Sequence, residues 1–127
     1  MGLDMYVNTA NITPLAARQV DFQPEDTSED GPELFYWRNH YCLHWWMEDL
    51  YRVKGGAAKC FNITVLRLMP EDISALLKSL AADSLPKARG AIYGAASFET
   101  LDHDLKFILK AREALRSGLA IYYTSMW

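Results

Sequence analysis

The chain has little cysteine, no long apolar run and no excess of basic residues, and each shortage excludes a class of protein. Two cysteines, Cys42 and Cys60, rule out a disulfide framework and predict free thiols in a reducing compartment. No stretch approaches the roughly 20 apolar residues that a membrane helix needs. The formal net charge of −3 argues against broad binding to nucleic-acid phosphates. Without a basic segment and apolar run of the secretory type near residue 1, we expect a cytoplasmic protein that does not bind membranes.

The sequence also lacks the motifs of metal, nucleotide and nucleophile chemistry. His40 and His44 stand one helical turn apart, as zinc ligands can, but no Cys-x-x-Cys or His-Glu-x-x-His accompanies them, so no metal is predicted. The glycine-containing segments 54–56 and 89–90 fit neither phosphate-loop pattern. Cys42 would point away from either histidine on the same helix, whereas Cys–His pairs come from separate elements. A non-enzymatic protein without a cofactor is favoured.

At 127 residues, half of them hydrophobic, the chain is long enough for one domain, residues 1–127, around one core. Alternation and helical periodicity predict the secondary structure. The predicted strands are 3–9, 34–37, 59–67 and 119–124, with a further strand or extended segment over 89–97, and the predicted helices are 40–53, 70–82 and 100–117. This order favours an α+β fold, with a small, mainly antiparallel sheet and about three helices packed mostly on one face.

Residues 36–51 hold three of the four tryptophans and form the predicted central helix, which begins after Asn39 as N-cap and ends at the glycine pair 55–56. Its buried stripe at helical spacing comprises Leu43, Trp46, Met47 and Leu50. The predicted stripe of helix 100–117 comprises Leu101, Leu105, Ile108, Leu109, the stem of Arg112, and Leu115. These stripes predict which side of each helix faces the core.

Residues 21–33 contain six acidic residues, two prolines, one glycine and no Lys or Arg, which predicts a loop. One interpretation is a solvated, mobile segment. The other is an acidic surface that meets a basic partner, in which case the partner-binding residues are Glu25, Asp26, Glu29 and Asp30.

The aromatic residues of the central stretch raise a second question. Trp45 and Trp46 point about 100° apart on a helix, so both can be buried only if much of its circumference is covered. Trp and Arg are typical of interface hot spots. We therefore predict that Trp37, Arg38 and Trp45 face a partner.

Three segments together resemble a known family. Residues 1–6 (Met-Gly-Leu-Asp-Met-Tyr), residues 36–38 (Tyr-Trp-Arg) with His44 and Trp46, and residues 122–127 (Tyr-Tyr-Thr-Ser-Met-Trp) are similar to motifs in small proteins of tailed bacteriophages and prophages. Many members have Asn in place of Tyr41. The resemblance implies a phage accessory protein in a bacterial cytoplasm, of the sort that binds and blocks host machines such as CRISPR effectors.

Two hypotheses follow. The first is a non-enzymatic protein, monomeric or homodimeric, that inhibits a host protein or ribonucleoprotein complex. The second is a small-molecule or nucleotide site with an aromatic wall and a few convergent polar groups. The residues of that predicted pocket are Asp4, Tyr36, Trp37, Arg38, His44 and Trp46.

Overall fold

The computed structural model describes residues 2–10, 19–21, 30–86 and 98–127, which form four strands and three helices. The strands are β1 (Asp4–Ala10), β2 (Asp30–Arg38), β3 (Leu66–Leu68) and β4 (Ala120–Met126). The helices are α1 (Tyr41–Val53), α2 (Pro70–Ala81) and α3 (Phe98–Arg116). The predicted α+β class is confirmed. The segment predicted over 89–97 lies outside the described residues.

The strands form one antiparallel sheet in the order β2-β1-β4-β3. Strand β1 is central, and its Asp4 is the register partner of both Arg38 on β2 and Met126 on β4. Successive side chains of a strand point to opposite faces, and Leu3, Met5 and Val7 are buried as their alternation predicts.

One face of the sheet, the inner face, carries the hydrophobic core. Its side chains join residues from all three helices in one cluster, which places the helices mainly on this face, as predicted. The fully buried members include Met5 and Val7 from β1, Tyr123 from β4, Leu43 and Met47 from α1, Ile73 and Leu76 from α2, and Phe107 and Ile108 from α3. Each such side chain contributes roughly 1.5–3 kcal/mol by leaving water.

The start of α1 differs from the prediction. Asn39 is not the N-cap; the helix begins after His40, which makes no capping side-chain bond. Asn39 has a positive φ of 59°, a conformation that asparagine tolerates better than most residues. Its backbone N–H donates to Leu3 O at 2.8 Å, and its Oδ1 accepts from Leu3 N at 2.8 Å. The residue therefore fastens the β2–α1 turn to the segment that leads into β1.

The strand predicted over 59–67 is wrong for most of its length, because only the three residues of β3 are extended within the sheet. Before them, Ile63 has φ 56° and donates its N–H to Ser125 O at 2.8 Å. The Asn62 amide bonds both backbone groups of Trp127, at 2.9 and 3.0 Å. A side chain here replaces the backbone ladder that alternation alone suggested.

Helices α2 and α3 occupy the predicted ranges to within two residues, but the buried face of α3 matches the predicted stripe only in part. Ile108 is buried, and Leu101 and Leu115 are half-buried against the core, as predicted. The predicted Leu105 and Leu109 are exposed. The buried face is Asp104, Phe107, Ile108, Ala111 and Ala114. Small alanines permit close packing, and a buried Asp104 requires donors from other elements. No helix in the described ranges is both long and apolar enough to cross a membrane.

Gly56, just after α1, provides a test of packing at this turn. A Cβ at this position would overlap ring atoms of Tyr51, which is fully buried. Tyr51 is also held by its hydroxyl, which donates to Asp21 and accepts from Ala58 N. We therefore expect Gly56→Ala to lower the free energy of unfolding by about 2 kcal/mol in chemical denaturation.

The neighbouring Gly55 is the matched control. It has φ +92°, and a Cβ there would meet no atom within 4 Å. Gly55→Ala should cost only the backbone strain of about 1 kcal/mol. Equal losses in the two variants would contradict the steric argument.

Candidate functional site

The structure does not bring the predicted pocket residues together. Asp4, Tyr36 and Arg38 lie on the outer face of the sheet, opposite the helices, whereas Trp37 lies on the inner face and His44 lies on α1. Neighbouring residues of one strand point to opposite faces, so 36, 37 and 38 cannot line one cavity. Trp46 bonds Ser79 of α2 at 3.3 Å between helices. The residues of the predicted pocket therefore do not line one cavity, because they lie on the outer face of the sheet, on its inner face and on α1.

Trp37 and Trp45 do not face outward, and that prediction is wrong. Trp37 is 3% exposed and packs between the rings of Phe35 and Phe107, each with a centroid distance of 4.8 Å. Trp45 is 8% exposed, and its ring lies 6.2 Å from that of Tyr41. Helix α1 is covered around much of its circumference, which is the condition under which adjacent tryptophans can both be largely buried.

Buried Asp104 joins three elements. Its Oδ1 accepts from Trp37 Nε1 at 2.9 Å, and its Oδ2 pairs with His40 Nε2 at 2.7 Å. The carboxylate oxygen is the acceptor in this pair, so His40 donates from Nε2. Because both oxygens are engaged, we interpret this carboxylate as an internal acceptor that ties α3 to β2 and to the start of α1.

His44 belongs to a second buried cluster. Its Nδ1 is hydrogen-bonded to the Tyr123 hydroxyl at 2.7 Å, and its ring lies 4.9 Å from Phe61. Burial lowers the pKa of His44 to about 4, and burial raises the pKa of Tyr123 well above its usual value. Both groups are therefore neutral near pH 7.

The two histidines considered as zinc ligands thus have different partners. His40 is engaged by Asp104, and His44 by Tyr123. Within the described ranges, no three His, Cys, Asp or Glu residues are grouped so as to hold a metal ion.

The outer face carries polar and aromatic side chains in two cross-strand rows. One row is Arg38, Asp4 and Met126, and the next is Tyr36, Tyr6 and Thr124. The rows are linked, because the Tyr36 hydroxyl donates to Asp4 Oδ1 at 2.5 Å, a bond that raises the pKa of Tyr36. The rings of Tyr6 and Tyr36 lie 5.3 Å apart. Towards β3 this face is covered, since Tyr122 and Arg67 are buried.

Three exposed apolar side chains lie at the end of β4, where the row of Arg38, Asp4 and Met126 ends. Ile63 is 66% exposed, Met126 57% and Trp127 50%. The bond from Ile63 N to Ser125 O, and those between Asn62 and Trp127, place this segment directly beside the end of β4. We call this surface the exposed patch, and its residues are Tyr36, Arg38, Ile63, Met126 and Trp127.

Backbone strain coincides with the exposed patch. A β-branched residue at positive φ is a conformational outlier, and such strain costs roughly 1–3 kcal/mol. Ile63 adopts this strained conformation while most of its side chain faces solvent, so burial of the side chain offsets little of the free-energy cost of the strain. Sequence patterns missed Ile63 because its alternation indicated a strand, and Trp127 carried no spacing signal.

Part of the predicted acidic surface can be placed. Asp30 begins β2, so residues 30–33 are strand and not loop. Asp21 is also held: its backbone N–H donates to Val65 O at 3.1 Å, and its carboxylate accepts from Tyr51 and Ala57. The predicted loop over 21–33 is therefore wrong at residues 30–33, whereas Asp21 is a bend that is held by these hydrogen bonds. Glu25, Asp26 and Glu29 lie outside the described residues.

Comparison with protein-family models, with curated proteins and with solved structures gives no match to this chain.

Proposed function

We propose that the chain is a non-enzymatic phage accessory protein that binds and inhibits a host protein or ribonucleoprotein complex. The expected target class is a CRISPR-type defence effector in the bacterial cytoplasm. One observation carries the docking part of the proposal: Ile63, Met126 and Trp127 are each at least half exposed at the end of the sheet where Arg38 of β2 is in register with Asp4 and Met126. The phage and inhibitor parts rest on the motif resemblance at residues 1–6, 36–38 and 122–127.

The residue types of the patch suit a protein partner. Trp, Tyr and Arg are the commonest hot-spot residues, and Met is enriched at interfaces because its side chain adapts to irregular surfaces. Strain of the kind seen at Ile63 concentrates at functional sites. Ile63 displays an apolar side chain to solvent and gives little to the core, which favours a role outside the fold.

Docking through side chains is favoured over addition of a partner strand to β2. Strand β2 is at the edge of the sheet. His103 of α3 donates from Nε2 to the Tyr36 carbonyl at 3.1 Å, which engages one of the edge acceptors. The net charge of −3 would assist approach to a basic, nucleic-acid-binding channel.

Ile63→Asn is the sharpest test of the patch. Asparagine tolerates the left-handed conformation, so the variant should raise the free energy of unfolding by about 1 kcal/mol. The same change should weaken the partner complex by about tenfold, because it removes an apolar contact. If Ile63→Asn raises the free energy of unfolding and also weakens the complex, then Ile63 serves partner recognition and not the stability of the fold.

The partner is found by affinity capture from the native host, and affinity is then measured with the purified complex. In parallel, the protein is expressed in cells with an active CRISPR effector, and entry of a targeted plasmid is counted. Met126→Ser should reduce both readouts. Leu109→Ser, which changes an equally exposed apolar residue on α3, should leave both unchanged. Unchanged immunity with wild-type protein would contradict inhibition, and unchanged affinity in Ile63→Asn and Met126→Ser would contradict the docking surface.

A further inference from the structure

A cleft between α2 and α3 is separate from the exposed patch. Its volume is about 310 Å³, at the lower end of the range for small-molecule sites. The lining residues are Pro70, Ile73 and Ser74 from α2 and Arg112, Leu115 and Arg116 from α3. The wall therefore combines apolar side chains with a hydroxyl and two guanidinium groups.

The charges of this cleft are unbalanced. Arg112 and Arg116 are one helical turn apart on α3, and no residue of the described chain forms an ion pair or hydrogen bond with either guanidinium. Among the described residues that line the cleft none is a carboxylate, although the whole chain has a net charge of −3. The nearby Asp72 is engaged by Lys54 and by Met69 N.

We propose that this cleft binds a small organic phosphate monoester. Guanidinium groups bind phosphate oxygens in a bidentate manner, and two of them on one helix face suit a dianion. The Ser74 hydroxyl can add one hydrogen bond. Pro70 and Leu115 form the apolar wall against which the organic part of the ligand packs, with the core residue Ile73 at its base, and a cleft of this volume suits an organic part of about one ring.

The structural alternative is that the arginines only stabilise α3. Cations in the last turns of a helix interact favourably with its negative end, which needs no ligand. Binding of a matched pair of probes separates the two interpretations. Phenyl phosphate carries the dianion and a ring, whereas phenol carries the ring alone.

The experiment is an NMR titration of the full chain with phenyl phosphate. The chemical shifts of the backbone amides and of the arginine Nε–H groups are measured at each ligand concentration. We expect saturable shifts at Ser74, Arg112 and Arg116, and none with phenol. The double variant Arg112→Gln/Arg116→Gln should weaken binding at least tenfold, equivalent to about 1.4 kcal/mol.

The control is Lys106→Gln/Lys110→Gln, which removes the same charge from α3 at two positions that do not line the cleft. This double variant should change the affinity for phenyl phosphate by less than about twofold, because salt screens charges that do not contact the ligand. Absence of saturation, equal weakening in both double variants, or binding of a glutamate-rich peptide in place of phenyl phosphate would overturn the proposal.

Discussion

Replacing Asp104 with alanine should lower the free energy of unfolding by about 3–5 kcal/mol, because two buried donors are left without an acceptor. The carboxylate is 1% exposed and accepts from Trp37 and His40. Without it, two buried donors lose their acceptor, and each unsatisfied group costs about 1–3 kcal/mol. Chemical denaturation followed by tryptophan fluorescence measures the loss directly.

Two further variants test whether the loss of stability comes from the hydrogen bonds of Asp104 or from the removal of a negative charge from α3. Asp104→Asn keeps an oxygen for Trp37 but presents an amide to His40, so its loss should be intermediate. Asp102→Ala removes an exposed carboxylate of the same helix that pairs with Lys106, and should cost less than about 0.5 kcal/mol. A loss in Asp104→Ala no larger than in Asp102→Ala would contradict the structural role.

Acid should destabilise the protein through His44 by about 3 kcal/mol. Its pKa is about 4 in the folded state and 6.5 in the unfolded state. Between these values the unfolded state binds more protons, so stability falls as the pH falls. The contribution is intact above pH 6.5 and is lost progressively towards pH 4, at about 1.4 kcal/mol for each pKa unit.

His44→Gln is the control for this titration, since glutamine keeps a hydrogen-bonding side chain beside Tyr123 but has no proton to gain. Free energies of unfolding are measured from pH 7 to pH 4 for both proteins. Carboxylates titrate in both, so the difference between the two curves isolates His44. Parallel curves would show that His44 does not titrate as its burial requires.

The candidate site was predictable only in part. Asp4, Tyr36 and Arg38 were selected from the sequence, and they share the outer face because alternation and register place them there. Ile63 was assigned to a strand, but it has a positive φ and donates its N–H to Ser125 O, more than 60 residues away. Local patterns contain no information about such a partner.

By itself, the sequence determined the elements whose signals are local. These are the alternation of β1, the proline start of α2, the length of α3 and the α+β class that their order favours. The tertiary structure decided which side of each helix faces the core. Trp37, His40 and Asp104 are buried together because Trp37 and His40 both bond Asp104 across 67 and 64 residues. Helical spacing identifies a face, but only long-range packing can satisfy a polar group on it, which is why Asp104 is inside and Leu109 is outside.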